Sequence, residues 1–277
     1  MTDVRDRVAL VTGGASGIGH LLALELARRG AVPVVWDVDE ERLSATIEEL
    51  GRLSSRRARG YTCDVRDPDA VRSTAERVHD EVGDPTILVN NAGVVSGARL
   101  LDLPDEAIRR TFDVNVLALF WVTKAFLPAM VDAGRGHVVT MASAAGLVGV
   151  ARQTDYSASK HAAVGFDESL RAELHRIAPR VRTTVVCPYY VDTGMFEGVR
   201  TRVPFLLPIL RQEDVALRIA DAIAKDRQVL VLPPIVRLIP ALRLLPSAAF
   251  DWVMDLFGVH VSMDHFVGRR GSPPPPA

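Results

Sequence analysis

The sequence predicts an α/β fold, a doubly wound parallel sheet with helices on both faces, and three observations carry that prediction. Short apolar runs alternate with helix-length segments from about residue 7 to residue 232, the pattern of repeated βαβ units with right-handed crossovers. The first apolar run enters a glycine-rich turn that opens directly into a helix. Gly13, Asp37, Asp64, Asn90 and Ser143 all fall just past apolar runs, where parallel sheets of this kind bind ligands.

Composition narrows the class. With 277 residues, 48% hydrophobic and 24% charged, the chain has ample length for a sizeable core. A formal charge of −1 leaves no basic footprint, so nucleic acid is not an expected partner. The two cysteines, Cys63 and Cys187, each lie near the end of an apolar run and read as small buried residues. No metal site is expected. The first seven residues are charged and hold no apolar signal region, which predicts a cytoplasmic protein.

Arg7–Thr12 reads as a buried strand, and Gly13-Gly14-Ala15-Ser16-Gly17-Ile18-Gly19 as the turn after it, followed by a helix to Gly30. Strand, glycine turn and helix N-terminus together form a receptor for a pyrophosphate, because a side chain would block the approach of the phosphates. The spacing differs from the common Gly-x-Gly-x-x-Gly, and a tight turn without a ligand is the plainer alternative. The second strand, Val32–Asp37, ends in a carboxylate eighteen positions after Gly19. A carboxylate there accepts from both adenosine ribose hydroxyls and repels a 2′-phosphate. No basic residue follows it, so NAD is favoured over NADP; its plainer role is capping the next helix, for which Asp39 is better placed.

A third strand closes around Tyr61–Val65, a helix covers Pro68–Val82, and Thr86–Val89 leads into Asn90-Asn91-Ala92-Gly93. After Pro104 a long helix carries Asn115 among apolar neighbours, a placement that demands an internal partner. Gly136–Ala142 is the next strand, Thr154–Ile177 a helix, and Val181–Cys187 the strand after it. On that helix Tyr156 and Lys160 are an i, i+4 pair leaving one face. A phenol titrates near ~10, too high for a base at neutral pH, and an adjacent cation would lower it. Only three of the 33 basic Lys and Arg residues are lysines, so Lys160 invites a chemical reason. Ser143, just past the preceding strand, could hold a substrate oxygen beside the phenol.

Beyond Cys187 comes a loop over about 188–210, an amphipathic helix over Arg211–Asp226 and a final strand over Gln228–Leu232. Residues 235–261 are rich in Leu, Ile, Phe and Trp but are broken by Pro240 and Pro246. No uninterrupted apolar run of 18 residues exists, which argues against a membrane-spanning helix. The segment is expected to cap a lipophilic site, to form an oligomer contact, or to lie on a membrane surface. The predicted organisation is a catalytic domain over 1–232, an apolar helical extension over 233–267 packed on or capping it, and a disordered tail over 268–277.

Thr12-Gly13-x-x-x-Gly17-x-Gly19, Asn90-Asn91-Ala92-Gly93, Asn115, Ser143 and Tyr156-x-x-x-Lys160 occur in an order and spacing that resembles the short-chain dehydrogenase/reductase family over roughly residues 5 to 232. The resemblance implies a Rossmann-type sheet of about seven parallel strands, in homodimers or homotetramers built partly on the two long helices. It implies that Tyr156 is the acid/base, that Lys160 lowers its pKa and binds the nicotinamide ribose, and that Ser143 orients the substrate oxygen. Asn115 would hold a water in the proton relay. Asp64 and Val65 would contact adenine; Asn90, Asn91, Ala92 and Gly93 would lie along the cofactor, and Pro188, Val191 and Thr193 by its carboxamide. Ser16 and Ile18 belong to the phosphate turn. Tyr189 departs from the family, which often has Gly there. Val191–Arg200 and the apolar extension resemble the retinol and 17β-hydroxysteroid dehydrogenases, which carry an N-terminal hydrophobic anchor that the charged start of this sequence does not match. The expected function is NAD-dependent interconversion of an alcohol and a carbonyl on a lipophilic molecule such as a retinoid, steroid or long-chain alcohol. Reduction of smaller polar ketones, or redox sensing without catalysis, are the alternatives.

Overall fold

A computed structural model describes residues 1–53 and 58–268. Seven parallel strands form one sheet in the order β3-β2-β1-β4-β5-β6-β7. The strands are β1 (Val8–Thr12), β2 (Val32–Asp37), β3 (Arg59–Thr62), β4 (Ile87–Asn90), β5 (Gly136–Met141), β6 (Val181–Pro188) and β7 (Val229–Leu232). They are short and buried on both faces, so they read as continuous apolar runs. Order reverses between β1 and β4, and that switch point opens a crevice at the carboxyl ends of the strands.

Helices α1 (Gly17–Arg28), α2 (Glu40–Leu53) and α7 (Gln212–Ala224) cover one face, where Leu22, Leu26, Val35, Ile219 and Ile223 form a dry core. Helices α3 (Pro68–Glu81), α5 (Ala118–Asp132) and α6 (Thr154–Ile177) cover the other, over Leu10, Trp36, Leu88, Phe126 and Leu174. Asp67 caps α3 by accepting from the amides of Asp69 and Ala70, with Pro68 in the first turn. Both cysteines are buried and free.

The long helix expected after Pro104 is interrupted. α4 (Asp105–Phe112) joins α5 through a π-turn, Asp113–Leu117, that contains Asn115. This wider turn gives Asn115 bonds on both sides: its Oδ1 accepts from Val94 N at 2.9 Å, and its Nδ2 donates to Val94 O and Ser159 Oγ at 3.0 Å. Although the sequence has no unbroken apolar run of that length, Asp105–Asp132 is, among the described residues, the one helix long and apolar enough to cross a membrane. One face of it packs against the sheet, with Phe126 against Trp36 and Thr123 accepting from Asn90.

The extension is short helical turns rather than one helix. A 3-10 turn at Pro234–Leu238 leads into α8 (Ile239–Leu242) and, after Pro246, α9 (Ser247–Leu256). Val236, Ile239, Met254 and Val259 pack with Leu119, Val185 and Leu207 in a third apolar cluster over the carboxyl end of the sheet. Of the expected disordered tail, residues 269–277 lie outside the described residues.

Candidate active site

The turn after β1 is built from backbone. Gly13 and Gly17 take positive φ of 60° and 56°, and a Cβ on Gly13 would sit 2.9 Å from the Cα of Ala92. Asn91 locks this turn by donating to the carbonyls of Thr12 and Gly13 at 2.9 and 3.0 Å. The amides of Asn91 and Ala92 in turn donate to Thr12 Oγ1. A cleft runs from here across the ends of β1, β4 and β5. Its walls include Gly13, Ser16, Gly17, Ile18, Asp37, Asp64, Val65, Asn91, Ala92, Gly93, Tyr156, Lys160, Pro188, Val191 and Thr193.

Three expected contacts fall elsewhere. Gly19 does not line the cleft; it is pressed against Asn91 and the Gly13 carbonyl, so its role is to let α1 approach the turn. Asn90 turns away and is buried against Thr123, because it ends β4 on the face opposite Asn91. Asn115 also stands behind the wall, its amide spent on Val94 and Ser159. Its Oδ1 and Lys160 Nζ converge on Gly93, where an added Cβ would lie 3.4 and 3.5 Å from them.

Asp37 sits at the rim with its carboxylate accepting from Ala15 N at 2.9 Å and Asp39 N at 3.1 Å. It therefore fixes the glycine turn and the entry to α2, while Asp39 accepts from Arg42 N. Sequence reasoning missed Arg66 and Arg110, which also line the cleft. Arg66 pairs with Asp64 at 2.6–3.0 Å and holds that carboxyl below its ordinary range. No local pattern marks either arginine; they meet the cleft through the β3–α3 loop and α4.

A second, apolar cavity opens beside the first. Its walls come from Ala144–Val150, Tyr189–Phe196, Leu207 and the extension, including Ile239, Leu242, Met254 and Phe257. Ser143, Tyr156, Tyr189 and Phe196 border both spaces. Tyr156 is 5% exposed, held edge-on against Phe196 with ring centroids 5.8 Å apart. Ser143 Oγ accepts from Ala145 N at 3.1 Å, which aims it back toward α6.

The electrostatics differ from the sequence expectation. Burial pushes the Tyr156 phenol above its ordinary value, with a hydrogen bond to Ser143 acting the other way. Burial also lowers Lys160 to about 8. Lys160 Nζ lies 5.6 Å from the Tyr156 ring centroid and donates to Met141 O at 2.7 Å. The protein alone thus keeps the phenol neutral: dehydration sets its direction, and the hydrogen bond that lowers it comes from Ser143, not from Lys160 as the sequence led one to expect.

The cleft has the features of a dinucleotide site: glycines where a Cβ would collide, a helix N-terminus, and a carboxylate at the end of β2. Comparison with known proteins agrees. A family model described as short chain dehydrogenase matches residues 7–204. Mouse (Mus musculus) epidermal retinol dehydrogenase 2 is 43% identical over 270 residues, covering 97% of this chain and 87% of that protein. A short-chain dehydrogenase/reductase from Burkholderia phymatum, solved in complex with NAD, superposes with a TM-score of 0.80 at 27% identity, covering 100% of both chains. A metagenomic short-chain oxidoreductase solved with NADP has a TM-score of 0.69 at 29% identity, covering 83% of this chain and 98% of that one. With its seven-stranded parallel sheet, its nucleotide cleft and a family match over most of its length, the chain belongs to the short-chain dehydrogenase family and is an oxidoreductase acting on CH–OH groups.

Proposed function

We propose that this enzyme interconverts an alcohol and a carbonyl on a lipophilic molecule, a retinoid, steroid or long-chain alcohol, with NAD(H) as the redox partner. One observation carries the reading: the apolar cavity and the nucleotide cleft meet at Ser143 and Tyr156. A nicotinamide dinucleotide, when bound, supplies the hydride acceptor or donor. Gly13, Ser16, Gly17 and Ile18 would receive its pyrophosphate, Asp64 and Val65 its adenine, and Lys160 its nicotinamide ribose. Pro188, Val191 and Thr193 would lie by the carboxamide. Asp37, followed by Val38 and three acidic residues rather than by a basic one, favours a free ribose over a 2′-phosphate.

Ser143 donates to the substrate oxygen and fixes it beside the phenol. Tyr156 as the neutral phenol gives its proton to that oxygen in carbonyl reduction, and as the phenolate takes the hydroxyl proton in alcohol oxidation. Lys160, as an ammonium beside the Tyr156 ring, would favour the phenolate. Asn115 acts as a positioning residue: through Val94 it sets the β4 loop and through Ser159 the helix that bears Tyr156. The name of the mouse relative supports a retinoid-like substrate, and the cavity lining supports a molecule without charge. A redox sensor would have no use for a buried phenol at the junction of two cavities.

The test is oxidation of retinol, steroid alcohols and aliphatic alcohols, with NAD+ and NADP+ compared, and with Tyr156→Phe alongside. Turnover of the lipophilic members with NAD+, reduced about 10²–10⁴-fold in the variant, is the expected result. Turnover confined to short polar alcohols would sink the substrate assignment; tight NADH binding without turnover would favour the sensor.

We further propose that the outer side of the extension rests on a membrane surface and that a second copy covers the α5–α6 face. Leu244 is 88% and Trp252 64% exposed beside Arg237 and Arg243, while Leu117 and Phe120 are exposed on α5 and the turn before it. Analytical ultracentrifugation with and without anionic liposomes separates the two. Co-sedimentation lost on Trp252→Ser supports the first; a dimer or larger species in buffer supports the second, and a monomer overturns it.

A further inference from the structure

The apolar cavity contains a polar side chain that the proton-transfer pair does not require. Gln153 caps α6, its carbonyl accepting from Ser157 N at 2.7 Å, and its carboxamide lines the cavity although the residue is only 1% exposed. One N–H is given to the thioether sulfur of Met263 at 3.1 Å, a weak acceptor. The carboxamide is also hydrogen bonded to the Tyr190 hydroxyl, which pairs with Ser262 Oγ at 2.8 Å. Apart from Ser143 and Tyr156, the remaining lining is aliphatic or aromatic, with Tyr189 and Tyr190 the other side chains that have a polar atom.

A buried amide is costly in an apolar wall unless its donors and acceptor are well satisfied. A leucine or methionine would fill the same position at no such cost. Gln153 spends a strong donor on sulfur, and an oxygen brought by a ligand would be the better acceptor. Its partner Tyr190 can turn its hydroxyl to donate or accept. Gln153 caps the helix whose first turn carries Tyr156, three residues on, and both side chains line the cavity.

We infer that Gln153 and Tyr190 form a polar subsite for a second oxygen of the substrate, a hydroxyl or carbonyl a few carbons from the carbinol that reacts at Tyr156. The inference rests on the proposed alcohol–carbonyl reaction and narrows its substrate class: an apolar body bearing two oxygens on the same end, one oxidised or reduced and one held. The held oxygen replaces the Met263 sulfur as acceptor from Gln153. The wall beyond it, from Ile239 to Phe257, takes the apolar remainder.

The test pairs dodecanol with a dodecanediol carrying its second hydroxyl a few carbons from the first. Affinity for each is measured calorimetrically on the enzyme saturated with NADH, and kcat/KM for each is measured with NAD+. The wild type should prefer the diol by about tenfold in both, one hydrogen bond of discrimination. Gln153→Leu and the longer Gln153→Met should bring the ratio near one, whatever they do to the two values together. Equal affinity of the wild type for alcohol and diol overturns the subsite, as does a preference that survives in both variants. If Gln153 only ties the extension to α6, both substrates lose affinity in proportion and the ratio stays fixed, which also overturns it. Diol-selective binding without oxidation of either compound would uphold the subsite and reject the dehydrogenase reading on which the substrate class depends.

Discussion

The nucleotide cleft and the apolar cavity share a border of four residues and are made in opposite ways. The cleft is made of backbone: positive-φ glycines, strand ends and amides held by Asn91 and Thr12. Its dimensions follow from the sheet, and few side chains could be exchanged without collision. The cavity is made of side chains drawn from three stretches, around 143–153, 189–207 and 235–259. Its walls are mostly aliphatic and aromatic groups, and apolar members of such a wall can be exchanged for others of similar volume. On the proposed function, cofactor binding rests on the backbone-built half and substrate choice on the side-chain-built half.

Gly19→Ala should break the contrast most severely. Its Cβ would collide with the Asn91 side chain and would lie 2.5 Å from the Gly13 carbonyl oxygen, which cannot withdraw without opening the turn. Overpacking of this kind costs about 1–3 kcal/mol, and NADH affinity should fall about five- to a hundredfold by the 1.4 kcal/mol-per-decade rule. Fluorescence titration with NADH reads the effect; unchanged affinity would mean that the turn is more pliant than its hydrogen bonds imply.

Met254→Ala tests the other half. Met254 is buried in the cap and faces the cavity, so truncation should lower kcat/KM for a lipophilic alcohol about tenfold, the scale of a lost methylene contact or two. The KM for NAD+ should stay as it was. Equal changes in both constants would show that the two regions are mechanically coupled rather than merely adjacent.

Lys160→Met, at the junction, should give the smallest and most unusual effect: a gain in stability with a loss of activity. Burial lowers Lys160 from 10.5 to about 8, so between those values the unfolded chain binds more protons than the folded one, and stability rises with pH. The wild type is therefore at its full disadvantage below pH 8, and the handicap fades toward pH 10.5. After allowing for the lost bond to Met141, the variant should be more stable by about 1–2 kcal/mol at pH 7. Urea denaturation at several pH values measures this; a variant less stable at pH 7 would mean that the ammonium is better satisfied than its single bond suggests.

Much of this contrast is present in the sequence. Strand ends, the glycine turn and the Tyr156–Lys160 spacing are local features, set within one βα unit by periodicity and by the absence of side chains where phosphates approach. Asn115 had to find an internal partner because it lies among apolar residues, and it did so through a π-turn that no helical pattern announces. Asn90 and Asn91 are adjacent, yet only Asn91 faces the cleft, because successive residues at a strand end point to opposite sides.

The sequence by itself determined the parallel sheet, the order of its elements and the Tyr156–Lys160 pair on one helix face, since each depends on neighbours a few positions away. Tertiary structure alone decided the rest. It brought Arg66 and Arg110 to the cleft, raised Tyr156 and lowered Lys160 by removing both from water, and folded the extension into a lid over the cavity. It also set Gln153 against Met263, 110 residues away. Dehydration and cavity shape are sums over residues distant in the chain, and no local pattern encodes such a sum.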